Sequence, residues 1–137
     1  MPTLEIQEKI VVKSGFQNCL SEVLKDKPEK GFNRITSYAK VLDEKDIDSK
    51  ETIDALSQFH VWSDTYIKER MNWMPEKPMK AVFLQVFNIE ELQIPLKEEF
   101  QGCKSWVEIN SDIKSENSVL SNIEINSKLK EFKEIVN

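Results

Sequence analysis

The sequence FHVWSDTYIKERMNW, from Phe59 to Trp73, is the stretch around which we expect the fold to be organised. It holds two of the three tryptophans, one of the two tyrosines, one of the two arginines and the only histidine. A helix beginning near residue 61 would place Trp62, Tyr66 and Arg70 one above another at i, i+4 and i+8. Trp73 lies one turn beyond Arg70, which predicts a cation–π contact with the guanidinium.

The composition is that of one globular domain with a strongly charged surface. The chain has 137 residues, of which 39% are hydrophobic and 31% charged, so it is long enough to bury a core. A net charge of −5 gives no global attraction to nucleic acid or anionic membranes, although it permits a local basic patch. The glycines are too scattered to form a phosphate-binding loop. We therefore treat residues 1–137 as a single domain.

The cysteines and the hydropathy pattern predict a reducing, cytoplasmic setting. Cys19 and Cys103 form neither a metal motif nor a disulfide framework. Charged residues within positions 1–15 do not match a secretory signal. The longest uncharged apolar-rich run, 81–89, is about half the length of a membrane-spanning helix. We expect no membrane span and no cofactor.

Four helices are predicted, at about 14–26, 50–58, 61–72 and 121–136. Ser14 with Gln17, and Ser121 with Glu124, have the spacing of a capping box, in which side chains satisfy free N–H groups at a helix start. Apolar residues then recur at i, i+3 and i+4, as in helices with one buried face.

Three strands are predicted, at about 33–42, 80–90 and 103–109. Ala81 to Phe87 is apolar at both parities, which is typical of a strand covered on both faces. We expect an acidic loop from Asp43 to Asp48, and an edge strand or loop at 92–96 because Pro95 interrupts it. A polar linker is expected at 110–118. The sum is an α+β domain with helices packed on a small mixed or antiparallel sheet.

Three blocks of this sequence resemble a known family. They are Phe59-His60-x-Trp62-x-x-x-Tyr66-x-x-x-Arg70, Pro75-x-x-Pro78, and Gly102-Cys103-Lys104-Ser105-Trp106-Val107. The prokaryotic domain-of-unknown-function family 1802 has a similar F-H-x-W…Y…R block, a P-x-x-P turn before a strand, and a G-C-[KR]-S-W-V strand. The resemblance covers residues 33 to about 125. It implies kinship of fold and supplies no chemistry, because the activity of the family is unknown.

The amino terminus resembles an internal part of that family's domain. Residues 2–7, PTLEIQ, are similar to a P-T-x-E-H-Q segment that normally sits in mid-domain. The resemblance therefore implies that the chain begins partway through the family's domain, without the upstream strands and a basic R-K-G-G-like segment. Ile6 stands where the family has a histidine, so a function shared between that histidine and the basic segment is not expected here.

The candidate catalytic residues are His60, Asp64 and Cys103. His60 and Asp64 have the spacing of one helical turn, at which a carboxylate can orient an imidazole as a general base. Cys103 would be the nucleophile if the fold brought it within hydrogen-bond reach. The alternative is structural, with His60 packed at a helix start and Cys103 acting as a small buried hydrophobe. A mixed metal site at His60 with Asp64, Glu69 or Glu108 lacks a second histidine or paired cysteines, so we predict no metal.

The candidate binding residues are aromatic and basic. They are Trp62, Tyr66, Arg70, Trp73, Lys104 and Trp106, with Lys77 and Lys80 as further cations. Such a set suits stacking on the bases of single-stranded nucleic acid with cations on the phosphates. It equally suits a hot spot for a protein partner. The alternative is that the rings pack into the core and Arg70 pairs with a carboxylate or a carbonyl.

Three hypotheses of function follow. The leading one is a small binding module that meets nucleic acid or protein through its aromatic and basic face. The second is a hydrolase or nucleic-acid-processing enzyme that uses His60 with Asp64 or Cys103. The third is a truncated subunit that pairs an exposed sheet edge with another copy or with a partner chain.

Overall fold

The computed structural model describes residues 12–26, 28–98, 106–114 and 116–137. Within these ranges the chain forms a three-stranded antiparallel sheet in the order β1-β2-β3, together with four α-helices. This confirms the predicted α+β class. In the described ranges no helix is both long enough and apolar enough to cross a membrane.

Two long strands form most of the sheet. β1 (Phe32–Ile47) and β2 (Met79–Pro95) pair antiparallel along their whole length, from Phe32 opposite Pro95 to Ile47 opposite Met79. The register shifts twice, between Ile35 and Ser37 and between Val41 and Asp43 of β1, as it does at β-bulges. The short β3 (Asn117–Ser118) pairs with the other side of β2, so β2 is the central strand.

Both long strands extend beyond their predicted ends. The expected acidic loop at 43–48 is wrong for most of its length, because Asp43 to Ile47 belong to β1 and pair with β2. Pairing with a long partner strand overrides the weak strand propensity of Asp, Glu and Lys. Residues 92–95, predicted as an edge or loop, are the end of β2. Pro95 is the last residue of that strand, where its missing N–H costs least.

Within the described residues, the predicted third strand at 103–109 can be assessed only at 106–109, and these four residues are not part of the sheet. Residues 103–105 lie outside the described ranges, and residues 106–109 form no strand, with Trp106 92% exposed. Part of the linker predicted at 110–118 adds to the sheet instead, as the strand β3. The amide of Glu90 donates to the carbonyl of Lys114 at 2.9 Å, and Tyr38 donates to the carboxylate of Glu116. Alternation marks a segment that can form a strand, but it does not identify which segment finds a partner.

The helices are close to their predicted positions. They are α1 (Gln17–Lys25), α2 (Lys50–Ala55), α3 (Asp64–Trp73) and α4 (Asn122–Val136), with 3-10 turns at Ser14–Phe16 and Leu56–Phe59. The capping box at Ser121 and Glu124 is confirmed, with both of its hydrogen bonds present. The predicted box at Ser14 is wrong, because Ser14 lies inside a 3-10 turn and α1 begins after Phe16 without a side-chain cap.

The core lies between one face of the sheet and the helices. Its buried members are Ile47, Ile53, Leu56, Phe83 and Phe132. Phe83 and Phe132 lie 5.4 Å apart between ring centres, and the half-buried Phe59 meets both rings edge-on. Such tilted and edge-on contacts stabilise aromatic clusters beyond the area they bury.

The opposite face of β2 is not covered by the described part of the chain. Val82, Leu84 and Val86 lie on this face and are exposed, and Val41 of β1, opposite Leu84, is exposed as well. The prediction that residues 81–87 are covered on both faces is therefore wrong for the described residues. Apolar residues at both parities show that both faces of the strand carry apolar side chains, but they do not show that another element packs on each face.

Candidate functional site

Most of the aromatic and basic residues singled out above line one cleft at the surface. This aromatic–basic cleft, of about 440 Å³, lies between α3, the turn after it and the start of β2. Its aromatic and cationic members are Trp62, Tyr66, Arg70, Trp73, Lys77 and Lys80. Tertiary structure thus brings two lysines from beyond the helix to the same place as the helical residues.

Trp62 is placed by contacts that precede the helix. The side chain of Ser63 caps α3 by accepting from the amide of Tyr66 at 3.2 Å, so the helix begins at Asp64 rather than near residue 61. Trp62 is held in extended geometry by a β-bridge to Val12. Its indole still meets the ring of Tyr66, with 5.0 Å between centres and a tilt of 36°. The expected contact between Trp62 and Tyr66 therefore exists, although only Tyr66 is helical.

Arg70 and Trp73 form the outer wall of the cleft. The guanidinium carbon of Arg70 lies 4.9 Å from the centre of the Trp73 ring, in the range of a cation–π contact. Trp73 is 67% exposed and Trp62 is 42% exposed, so these rings present surface to solvent rather than packing in the core. The turn after α3 is closed by the amide of Lys77, which donates to the carbonyl of Met74 at 3.0 Å.

The three cations of the cleft differ in how far they are neutralised. Lys80 Nζ lies 3.4 Å from a carboxylate oxygen of Glu44 and 3.7 Å from one of Asp46. In the described part of the chain, Arg70 and Lys77 have no carboxylate within ion-pair distance. Exposed ion pairs such as that of Lys80 are weak, so the two carboxylates offset its charge only in part. The positive charge available to a ligand therefore comes first from Arg70 and Lys77.

An apolar pocket of about 300 Å³ adjoins the cleft. The two share Trp62, Ile67, Met79 and Lys80 in their walls, and the pocket continues into the core cluster. Its deeper walls are hydrocarbon or aromatic and include Ile53, Leu56, Ala81 and Phe132. The sequence carries no signal for this pocket, because periodicity indicates which residues are apolar but not where their packing leaves a gap.

His60 has structural contacts on both its ring and its backbone. Its Nδ1 accepts from the amide of Trp62 at 3.1 Å, and its carbonyl accepts from Lys13 Nζ at 2.8 Å. Burial lowers the pKa of His60 below its ordinary value, and the Lys13 ammonium adds to this, while Asp64 opposes it. One of the two imidazole nitrogens of His60 therefore helps to position Trp62.

The predicted spacing of one helical turn between His60 and Asp64 is wrong, whereas their catalytic role stays a prediction. His60 has extended backbone geometry at the end of the 3-10 turn, outside α3, so the two residues are not one helical turn apart. Cys103 and Lys104 lie outside the described ranges. Trp106 is described, but it does not line the cleft. Among the described residues, no three His, Cys, Asp or Glu side chains form a group that could hold a metal ion.

Comparison with known proteins gives one match. The family model described as Domain of unknown function (DUF1802) matches residues 1–131 of the 137-residue chain. No curated protein and no solved structure matches.

Proposed function

We infer the function of this chain from its own side chains, because the chain belongs to the family Domain of unknown function (DUF1802). We propose that it is a small binding module that holds an anionic nucleic acid or protein partner in the aromatic–basic cleft. One observation carries this proposal: exposed aromatic rings converge on a single cleft with two cations that have no carboxylate partner among the described residues.

The chemistry of the cleft suits recognition. Exposed Trp62 and Trp73 offer flat apolar surface to a planar or hydrophobic group. Arg70 and Lys77 supply charge beside those rings, and an arginine already stacked on an indole is partly ordered before a ligand arrives. The described cleft lining combines aromatic rings, three cations and apolar side chains, a composition typical of recognition surfaces.

We propose a cytoplasmic setting for this binding. The chain has only two cysteines, and Cys19 is an exposed free thiol, which is usual for proteins kept in a reducing compartment.

The test is a titration of the full chain with two labelled anionic ligands, a single-stranded oligothymidylate and a glutamate-rich peptide, followed by fluorescence anisotropy at rising salt. We expect at least one to bind, with an affinity that falls as salt rises. Replacing Arg70 and Lys77 together by glutamine should weaken that binding by about tenfold, the effect of roughly 1.4 kcal/mol. Lys68→Gln, on α3 but outside the cleft lining, is the matched control. Equal binding by the double variant and the parent would contradict the proposal.

A second candidate function is that of a subunit which pairs with another chain. β1 pairs only with β2 in the described part of the chain, so its outer edge has no strand partner there. The exposed Val82, Leu84 and Val86 lie on the open face of the same sheet. Unpaired edges and open apolar faces are typical sites of association. Sedimentation that shows a compact monomer at high concentration would remove this candidate.

A further inference from the structure

The walls of the apolar pocket favour one kind of ligand group. Apart from His60 and Lys80, the residues that line the pocket have apolar or aromatic side chains. His60 Nδ1 is already occupied by the amide of Trp62. A nucleobase in this space would leave most of its polar edge without a partner, which is costly. An aliphatic or phenyl side chain has no such groups. The volume of about 300 Å³ is at the lower end for ligand pockets, enough for one large side chain.

The charges around the pocket limit the rest of the partner. The whole chain carries a net charge of −5, so a polyanion is repelled at long range. Only Arg70 and Lys77 in the cleft are without carboxylate partners among the described residues. Two such cations suit a partner with a few negative charges next to an apolar anchor better than a strand with a charge at each nucleotide.

We infer that the partner is an acidic protein segment that places one bulky apolar side chain in the apolar pocket and its carboxylates against Arg70 and Lys77. This inference rests on the proposed function and adds to it the class of partner. One segment can make both contacts at once, because Trp62, Ile67 and Met79 border both the pocket and the cleft. The apolar anchor supplies affinity and the carboxylates supply orientation.

The experiment is a selection of short random peptides displayed on phage against the full chain, with the Arg70→Gln, Lys77→Gln double variant as the counter-selection target. We expect the enriched peptides to combine a Leu, Ile, Met, Phe or Trp with flanking Asp or Glu. In a synthetic copy of such a peptide, replacing the anchor by alanine should weaken binding about tenfold or more. Enrichment of peptides without both features, or no enrichment, would overturn the inference.

A variant in the protein tests the pocket separately. Ala81 lines the pocket and is half-buried, so the larger side chain of Ala81→Met should fill the space. We expect it to weaken binding of the selected peptide about tenfold. The midpoint of thermal unfolding, measured on the same sample, shows whether the variant still folds. If Ala81→Met does not fold, the peptide with alanine at its anchor position tests the inference instead, because that experiment leaves the protein unchanged.

The outcomes separate this inference from the proposed function. If the cleft double variant abolishes binding but the anchor substitution has no effect, the cleft binds anions and the inferred partner class is wrong. If an oligothymidylate binds more tightly than the selected peptides and displaces them, the partner is a nucleic acid and the inference is overturned. If neither substitution changes binding, both the inference and the proposed function fail.

Discussion

The guanidinium of Arg70 lies over the indole of Trp73, with 4.9 Å from its carbon to the ring centre, and both side chains face solvent. The pair sits at the end of α3, where the chain turns towards β2. In the described part of the chain this arginine therefore contacts an aromatic face rather than a carboxylate. An exposed cation–π pair stabilises a fold only weakly, which leads to the first prediction.

Replacing Arg70 by alanine should change the free energy of unfolding by at most about 1 kcal/mol, because an exposed cation–π contact contributes about 0.5–1 kcal/mol. Urea denaturation of both proteins measures this difference. Lys68→Ala, also exposed on α3, is the matched control. A loss of about 3 kcal/mol or more, well above typical exposed substitutions, would identify Arg70 as part of the structural framework.

The substitution Phe132→Ala should destabilise the domain severely. Phe132 is 3% exposed and contacts the rings of Phe59 and Phe83, so its removal leaves a cavity among aromatic side chains. We expect a loss of about 3–5 kcal/mol, a large part of the roughly 5–15 kcal/mol typical of a folded domain. Thermal unfolding followed by circular dichroism is the measurement.

Phe16→Ala is the control for that prediction. Phe16 is 44% exposed at the start of α1, so its truncation removes much less buried surface. Equal losses for the two variants would mean that the aromatic cluster around Phe132 does not hold the core.

The substitution Ser121→Ala should cost about 1 kcal/mol, because this side chain caps the start of α4. Its hydroxyl accepts from the amide of Glu124 at 3.2 Å, and the Glu124 carboxylate accepts from the amide of Ser121 at 2.8 Å. Ser127→Ala, on an exposed position within the same helix, should be neutral or slightly stabilising. Urea denaturation of both variants checks the pair, and an equal effect would refute the role of the cap.

The stability of the protein should fall as the pH drops below about 6.5, because of His60. Burial, assisted by Lys13, lowers the pKa of His60 in the folded state. The unfolded chain therefore binds a proton first, and stability is lost between the ordinary pKa and the lower folded pKa. Above the ordinary pKa this contribution is fully present. Since His60 is the only histidine, its proton resonance in an NMR titration reports the folded pKa directly.

His60→Asn is the matched variant for the pH dependence. Its side-chain oxygen can replace Nδ1 as acceptor of the Trp62 amide, but it does not titrate. We expect the pH dependence of unfolding between pH 5 and 6.5 to flatten in this variant, because carboxylates titrate mainly below this range. An NMR titration of the parent that gives a raised pKa for His60 would contradict the prediction.

Patterns within single elements carried the correct predictions. The apolar spacing in α4 and the Ser121 capping box are set by neighbours three and four residues apart, so they can be recognised locally. The contact of Trp62 with Tyr66 and that of Arg70 with Trp73 also have local spacing, and both are present. The family resemblance, which rests on short sequence blocks, agrees with the match over residues 1–131.

Most predictions that failed depended on distant partners, although the local capping box at Ser14 failed as well. The acidic residues 43–47 became strand because β2 lies beside them, and 117–118 joined the sheet where 106–109 did not. The helix begins at Asp64 rather than near residue 61 because Ser63 caps it, and Lys13, from another part of the chain, holds the His60 carbonyl. Of these interactions only the Ser63 cap is local in sequence.

The sequence by itself therefore determined the α+β class, the family, the helices and the composition of an aromatic and basic surface. Tertiary structure alone decided that Lys77 and Lys80 line the same cleft as the aromatic rings of α3, and that an apolar pocket adjoins this cleft. It also decided that one face of β2 is left open by the described residues. The physical reason is that helix periodicity and capping act over one or two turns, whereas strand pairing and cavities depend on residues that are far apart in the chain.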